Sequence, residues 1–195
     1  MRIQWIVAAC AVAMMAASLA NASTIDFETQ AAASGSTFTG TPSEVNIGIA
    51  SFSGGELLNN VAGLGADATG VYASEGIFGS EDNPIEITFS APVSAFSILL
   101  VNADNTQNYT VSDNLGDSVT KSVASAGALG TATFTLAGAG LTTVDITSAN
   151  AFSWSFAIDN VAFTPVATPE PRVIWLLAAC VLICIVVRQR RAHSL

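Results

Sequence analysis

Reactive side chains are the first thing missing from the middle of this sequence. Between Ser23 and Pro165 there is no cysteine and no histidine: the cysteines are Cys10, Cys180 and Cys184, and the one histidine is His193. That stretch can form no disulfide, no thiolate nucleophile and no Cys-ligated zinc site, and it cannot assemble a Ser/His or Cys/His catalytic pair. Basic residues are nearly absent as well. All 15 acidic residues fall between Asp26 and Glu170, where Lys121 is the only base. Fifteen acids against one base leave that region at −14, which excludes neutralising a phosphate backbone and hence binding nucleic acid. Ser-Lys chemistry would need Lys121, which sits in an ordinary exposed strand pattern. Such a charge keeps an exported protein soluble and also suits divalent cations. No sustained helical period occurs between Ser23 and Pro165. A glycosidase needs only two carboxylates, but Glu56, Glu75 and Glu81 stand in sequence of loop character and read as solvated acids.

What is present begins at the two ends, where much of the apolar content collects. The N-terminus runs Met1-Arg2, then the apolar segment Ile3–Leu19, then Ala20-Asn21-Ala22. A short positive region, an apolar core and small residues at Ala20 and Ala22 form a secretory signal peptide cut by signal peptidase. The expected cut follows Ala22 and leaves Ser23 as the mature N-terminus; the competing reading is a retained membrane anchor. At the other end stand Pro169-Glu170-Pro171-Arg172, the uncharged run Val173–Val187, and Arg188, Arg190 and Arg191. Fifteen apolar residues are short against the roughly 20 of a usual spanning helix. They can still halt translocation, with the arginines held on the cytoplasmic side. The prolines around Glu170 keep the backbone extended, as a processing enzyme requires.

The middle reads as strands. β-branched and aromatic clusters bounded by turn residues place them near Thr24–Glu28, Val45–Phe52, Ile85–Phe89, Phe96–Val101, Asn108–Ser112, Ser118–Val123, Thr131–Leu136, Thr142–Thr147 and Ser153–Phe163. Asp113-Asn114-Leu115-Gly116-Asp117 is a turn, and Asn83-Pro84 and Ala91-Pro92 interrupt other segments. Ala124–Gly130 and Ala137–Gly140 read as small-residue loops. Gly54–Ser80 has too little pattern to place. The expected fold is all-β, an antiparallel two-sheet β-sandwich of jelly-roll type, flanked by an N-terminal signal helix and a C-terminal hydrophobic helix. The expected divisions are 1–22 for the signal peptide, 23–166 for the sandwich and 167–195 for the tail.

Pro169-Glu170-Pro171, the short apolar helix and the terminal Arg cluster, in that order and place, resemble the PEP-CTERM sorting signal. The departures are Arg172, where the family more often has Ser or Thr, and an apolar segment with few glycines. The resemblance implies an exosortase-type processing enzyme as partner and a transient stay in the inner membrane through the C-terminal helix. Delivery to the cell surface or to extracellular, exopolysaccharide-rich or biofilm material would follow. The main expectation is a non-catalytic exported surface or matrix protein; the alternative is a carbohydrate-binding module that binds polysaccharide through the sandwich.

The phrase Phe156–Phe163 also resembles the last strand of sandwiches found with such tails, and Ile25–Glu28 their first strand. In related carbohydrate-binding sandwiches those strands lie side by side and often build a structural calcium site. Asp26, Glu28 and Asp159 are then the expected side-chain ligands for Ca2+, with Asn160 either a ligand or a bulge residue; the other reading makes them surface acids. Independently, Phe152, Trp154, Phe156 and Ile158 share one strand face whereas Val161 and Phe163 share the other. The switch at Asp159-Asn160 predicts a bulge or a change of sheet. Trp154 falls in the apolar phase and reads as core, leaving Tyr72 and Tyr109 as candidate sugar-stacking platforms.

Overall fold

A computed structural model describes residues 21–35, 43–59, 70–74, 84–102, 105–125, 130–149 and 156–166. All belong to one compact unit, Asn21–Val166. The elements in chain order are β1 (Ser23–Ile25), α1 (Glu28–Ala31), β2 (Val45–Ile47), β3 (Ala50–Ser53), β4 (Gly55–Asn59), β5 (Gly70–Ser74), β6 (Ile85–Asn102), β7 (Gln107–Asp113), β8 (Ser118–Val123), β9 (Thr131–Ser148) and β10 (Phe156–Pro165). The expected all-β, antiparallel character is present. The expected pair of sheets takes a different form: the ten strands among the described residues are hydrogen-bonded into one sheet, whose main path runs β4-β5-β10-β6-β9-β7-β8. β1 is added to β10, β3 to β6 and β2 to β3.

The sheet curls because β6 and β9 are long and irregular. Each has 18 residues, and their mutual ladder shifts register between Thr88 and Val93, between Val93 and Ser94, and between Ser94 and Phe96. The sequence reading breaks both strands, at Ala91-Pro92 and at Ala137–Gly140. Both instead continue through those points. Pro92 has no N–H to give a ladder and sits at the irregularity, where strand prolines belong; its carbonyl accepts from the Val166 N–H at 2.8 Å. The first part of β6 lies between β3 and β9, and the second between β10 and β9.

Two other segments differ from expectation. Val45–Phe52 is not one strand but the β2/β3 hairpin, with Val45 opposite Phe52 and Ile47 opposite Ala50. Gly48 begins the two-residue turn at φ 62°, the left-handed conformation that tight hairpin turns ask of glycine. The strand expected through Glu28 stops at Ile25, and Glu28 opens the single turn of α1. In the unplaced stretch after Gly54, β4 and β5 appear as a paired hairpin with Gly55 opposite Ser74 and Asn59 opposite Gly70.

Curling brings the inner faces of most strands onto one apolar cluster. Phe27 meets Phe52 edge-on at 5.0 Å and Tyr72 at 6.0 Å. Phe89 meets Phe163 at 4.9 Å, and Tyr109 meets Phe156 at 5.3 Å. Each buried aliphatic or aromatic side chain contributes about 1.5–3 kcal/mol, and such aromatic pairs add about 0.5–1.5 kcal/mol. A smaller cluster of Leu58, Val71, Ala73, Val101 and Ala157 lies across β4, β5, β10 and β6. Among the described residues no helix is long and apolar enough to cross a membrane. The signal segment before Asn21 and the tail from Ala167 onward lie outside the described residues.

Candidate functional site

The first and last strands do lie side by side. β1 runs antiparallel to β10, with Ser23 opposite Phe163 and Ile25 opposite Val161. The next positions along that ladder are Asp26 and Asn160, both expected site residues. The predicted bulge is there: the β10/β6 register shifts between Asp159 and Ala162, and Asn160 has φ 49°. An Asn tolerates this conformation better than most side chains. Asp159 supports it locally, accepting from the Asn160 N–H at 2.7 Å through Oδ1 and from Asn160 Nδ2 at 3.3 Å through Oδ2. Asp159 is buried and Asn160 half-buried.

Asp26 and Glu28 lie just past the β1 ladder. Asp26 is exposed, and its Oδ1 accepts from the Glu28 N–H at 3.3 Å. Phe27 between them adopts φ 58° and turns its ring into the core. Glu28 Oε1 accepts from the Gly70 N–H at 3.1 Å, pinning α1 to the start of β5. A Cβ on Gly70 would lie 2.7 Å from the Phe27 carbonyl oxygen, so this approach requires glycine. Carboxylates of this kind are suitable hard ligands for calcium. Among the described residues no three of His, Cys, Asp and Glu gather where they could hold a metal ion.

Other candidates resolve differently. Asp113–Asp117 is the expected turn, with Asp113 Oδ1 accepting from the N–H groups of Leu115 at 2.8 Å and Asp117 at 3.0 Å. Glu56 is not a loop acid; it is buried on β4. Glu75 and Glu81 lie outside the described residues, as does Trp154. Tyr72 and Tyr109 are not sugar platforms, because both are fully buried. The Tyr72 hydroxyl donates to the Ser43 carbonyl at 2.9 Å and accepts from the Gly55 N–H at 3.1 Å. The Tyr109 hydroxyl donates to Asn102 Oδ1 at 2.7 Å and accepts from Gln107 Nε2 at 2.8 Å. Every described aromatic ring is buried. A stacking surface on this unit would therefore have to come from Phe38, Phe78, Phe152 or Trp154, all outside the described residues.

The expected sorting residues Pro169, Glu170, Pro171, Arg188, Arg190 and Arg191, and the signal residue Ala20, lie outside the described residues. Ala22 is exposed, immediately before β1.

No family model matches the chain, and no curated protein matches it either. Loose likenesses do occur among solved structures. One is a CBM35 module from Cellvibrio japonicus Abf62, at 14% identity over 73% of this chain and 92% of that one, with a TM-score of 0.40. TmCBM61 in complex with beta-1,4-galactotriose is 12% identical over 72% of this chain and 94% of its own, TM-score 0.38. The family 11 carbohydrate-binding module of the Clostridium thermocellum cellulase Lic26A-Cel5E is 12% identical over 78% and 99%, TM-score 0.36. Overlaps this loose neither assign the chain to a family nor transfer a ligand to it.

Proposed function

We propose that this chain is an exported, non-catalytic β-domain that serves at the cell surface or in extracellular matrix, sorted there through a PEP-CTERM-like tail. The observation that carries this reading is the serial order of Pro169-Glu170-Pro171, the apolar run Val173–Val187, and Arg188, Arg190 and Arg191. Its partners would be signal peptidase at one end and an exosortase-type enzyme at the other, with the C-terminal helix a temporary membrane anchor. The positions of the strands support it. β1 starts at Ser23, directly after the expected cut, and β10 ends at Pro165, before the Pro-Glu-Pro motif. Cuts after Ala22 and near Pro171 would spare every described strand. Mass spectrometry of exported material tests the reading: a chain beginning at Ser23 and lacking Val173–Val187 is expected, and recovery of peptides from Ile174–Val187 would overturn tail removal.

Polysaccharide binding is the second reading, favoured by the antiparallel pairing of β1 with β10. That is the arrangement expected of the carbohydrate-binding sandwiches that its end strands resemble. A glycan array probed with the exported protein separates the two. Defined, saturable binding supports a module, and its absence leaves a structural or adhesive matrix domain. Structural calcium at Asp26, Glu28, Asp159 and Asn160 is a proposal of the same resemblance; Asp26 and Asn160 are the positions that follow the last pair of the β1/β10 ladder, Ile25 and Val161.

A further inference from the structure

Lys121, the single base between Asp26 and Glu170, stands on an edge strand. β8 pairs with β7 and ends the main strand order, so its outer side has no strand partner among the described residues. Strand alternation puts Val119, Lys121 and Val123 on one face. Val123 is buried, as is Tyr109, the cross-strand partner of Lys121. The face is the core-directed one, with Lys121 itself exposed at its rim. A charge pointing inward from an edge strand is a known way of preventing edge-to-edge association.

Its target is a second edge. Over Thr131–Leu136 β9 pairs with β6, and its pairing with β7 begins only at Val144. Lys121 Nζ donates to the Thr133 carbonyl and lies 5.3 Å from the centre of the Phe134 ring. Because the Thr133 carbonyl is turned away from β6, the alternation of an antiparallel ladder turns the backbone groups of Thr131 and Thr135 the same way. The ammonium therefore sits midway along a short row of backbone donors and acceptors. Thr131–Leu136 has no charge and no proline, and its Thr residues and Phe134 favour strand pairing.

Charge indicates which partner such an edge would take. From Ser118 to Val144 Lys121 is the only charged residue. Two copies of the chain, acidic elsewhere, could meet along this stretch without opposing carboxylates. A second Thr131–Leu136 strand would nevertheless have to displace the ammonium from the Thr133 carbonyl and the ring. It brings no carboxylate to compensate, so the charge would be left unpaired in the new seam.

We propose that Lys121 is a gatekeeper that occupies the β9 edge and keeps a second copy of the chain from pairing through Thr131–Leu136. The test is sedimentation of the full chain in nonionic detergent across a concentration series, so that the apolar ends are common to every sample. Lys121→Met keeps the length of the stem and removes the charge and donors. The wild type is expected to sediment as one species, whereas Lys121→Met and Lys121→Ala shift to dimers and larger forms as concentration rises. Adding Thr133→Pro to Lys121→Met removes an N–H that faces away from β6 and should return the wild-type profile, with thermal melts checking that each variant is folded. A synthetic peptide of Thr131–Leu136 supplies an independent measurement: it should bind the Lys121→Met chain and not the wild type. The proposal is overturned if both single variants sediment as the wild type, if a folded Thr133→Pro double variant still associates, or if the peptide fails to distinguish the two chains.

Discussion

The Tyr109 hydroxyl donates a 2.7 Å hydrogen bond to Asn102 Oδ1, deep in the fold where both residues are fully buried. The two hydrogens of Asn102 Nδ2 are in turn shared among the carbonyls of Asn105 at 2.9 Å, Val123 at 3.2 Å and Ala124 at 2.8 Å. One side chain at the end of β6 thereby ties together the start of β7 and the end of β8. The Asn102→Ala variant would leave the Tyr109 hydroxyl without its acceptor and the carbonyl of buried Val123 without this donor, at about 1–3 kcal/mol for each buried unsatisfied group, whereas Asn105 and Ala124 are exposed and can turn to water. The expected loss is about 3 kcal/mol or more, read by urea unfolding. A loss under about 1 kcal/mol would mean that water replaces the network without penalty.

The second prediction concerns the N-terminus. Ser23 opens β1 and pairs with Phe163, so a cut after Ala22 leaves the strand whole, while one a few residues later would remove it. N-terminal sequencing of exported protein should read Ser23-Thr24-Ile25. A start inside Asp26–Thr29 would be incompatible with the β1/β10 ladder.

Neutralising Arg188, Arg190 and Arg191 together should reduce both retention and processing of the tail, because charge resisting translocation would be the stop signal. Pulse-chase labelling of the precursor measures it. Unchanged processing of the triple variant would show that Val173–Val187 suffices alone.

How much was legible in the sequence depended on whether burial was one-sided. The β7 and β8 cores, the turn at Asp113–Asp117 and the bulge at Asp159-Asn160 could all be read, the last because the apolar phase switches faces between Ile158 and Val161. β4 and β5 could not. Every residue of β5 and most of β4 are buried, and a strand covered on both faces has no alternation to find. The β2/β3 hairpin was hidden for the opposite reason: Val45, Ile47 and Ile49 alternate smoothly through Gly48, and only its positive φ reveals the turn. Tyr72 and Tyr109 stayed open as candidates because a tyrosine carries both an apolar ring and a polar hydroxyl, and only the fold shows that each hydroxyl finds its partners inside. The role of Lys121 needed the fold, since nothing in its local sequence says that Thr133 lies within reach.

Calcium is the last prediction. If Asp26, Glu28 and Asp159 bind one ion just past the β1/β10 ladder, calcium should raise the thermal midpoint of the exported protein. At free calcium 100-fold above the dissociation constant, linkage supplies about 2.7 kcal/mol provided the unfolded chain does not bind. For a domain of this size that is a shift of several degrees. Magnesium should do less, since it holds its water and prefers a tight octahedral shell. Asp159 is buried and accepts two hydrogen bonds from Asn160, so Asp159→Ala will lower the midpoint for structural reasons alone. The informative quantity is therefore the difference between calcium and chelator within each variant: lost in Asp159→Ala, kept in Asp117→Ala, whose carboxylate belongs to the separate turn. Glu28→Gln sharpens the distinction, because the amide can still accept from the Gly70 N–H while losing the charge a calcium ligand supplies. Coincident wild-type melting curves with and without calcium, on protein first stripped of metal, would reject the site and leave Glu28 with the one task of holding α1 against Gly70.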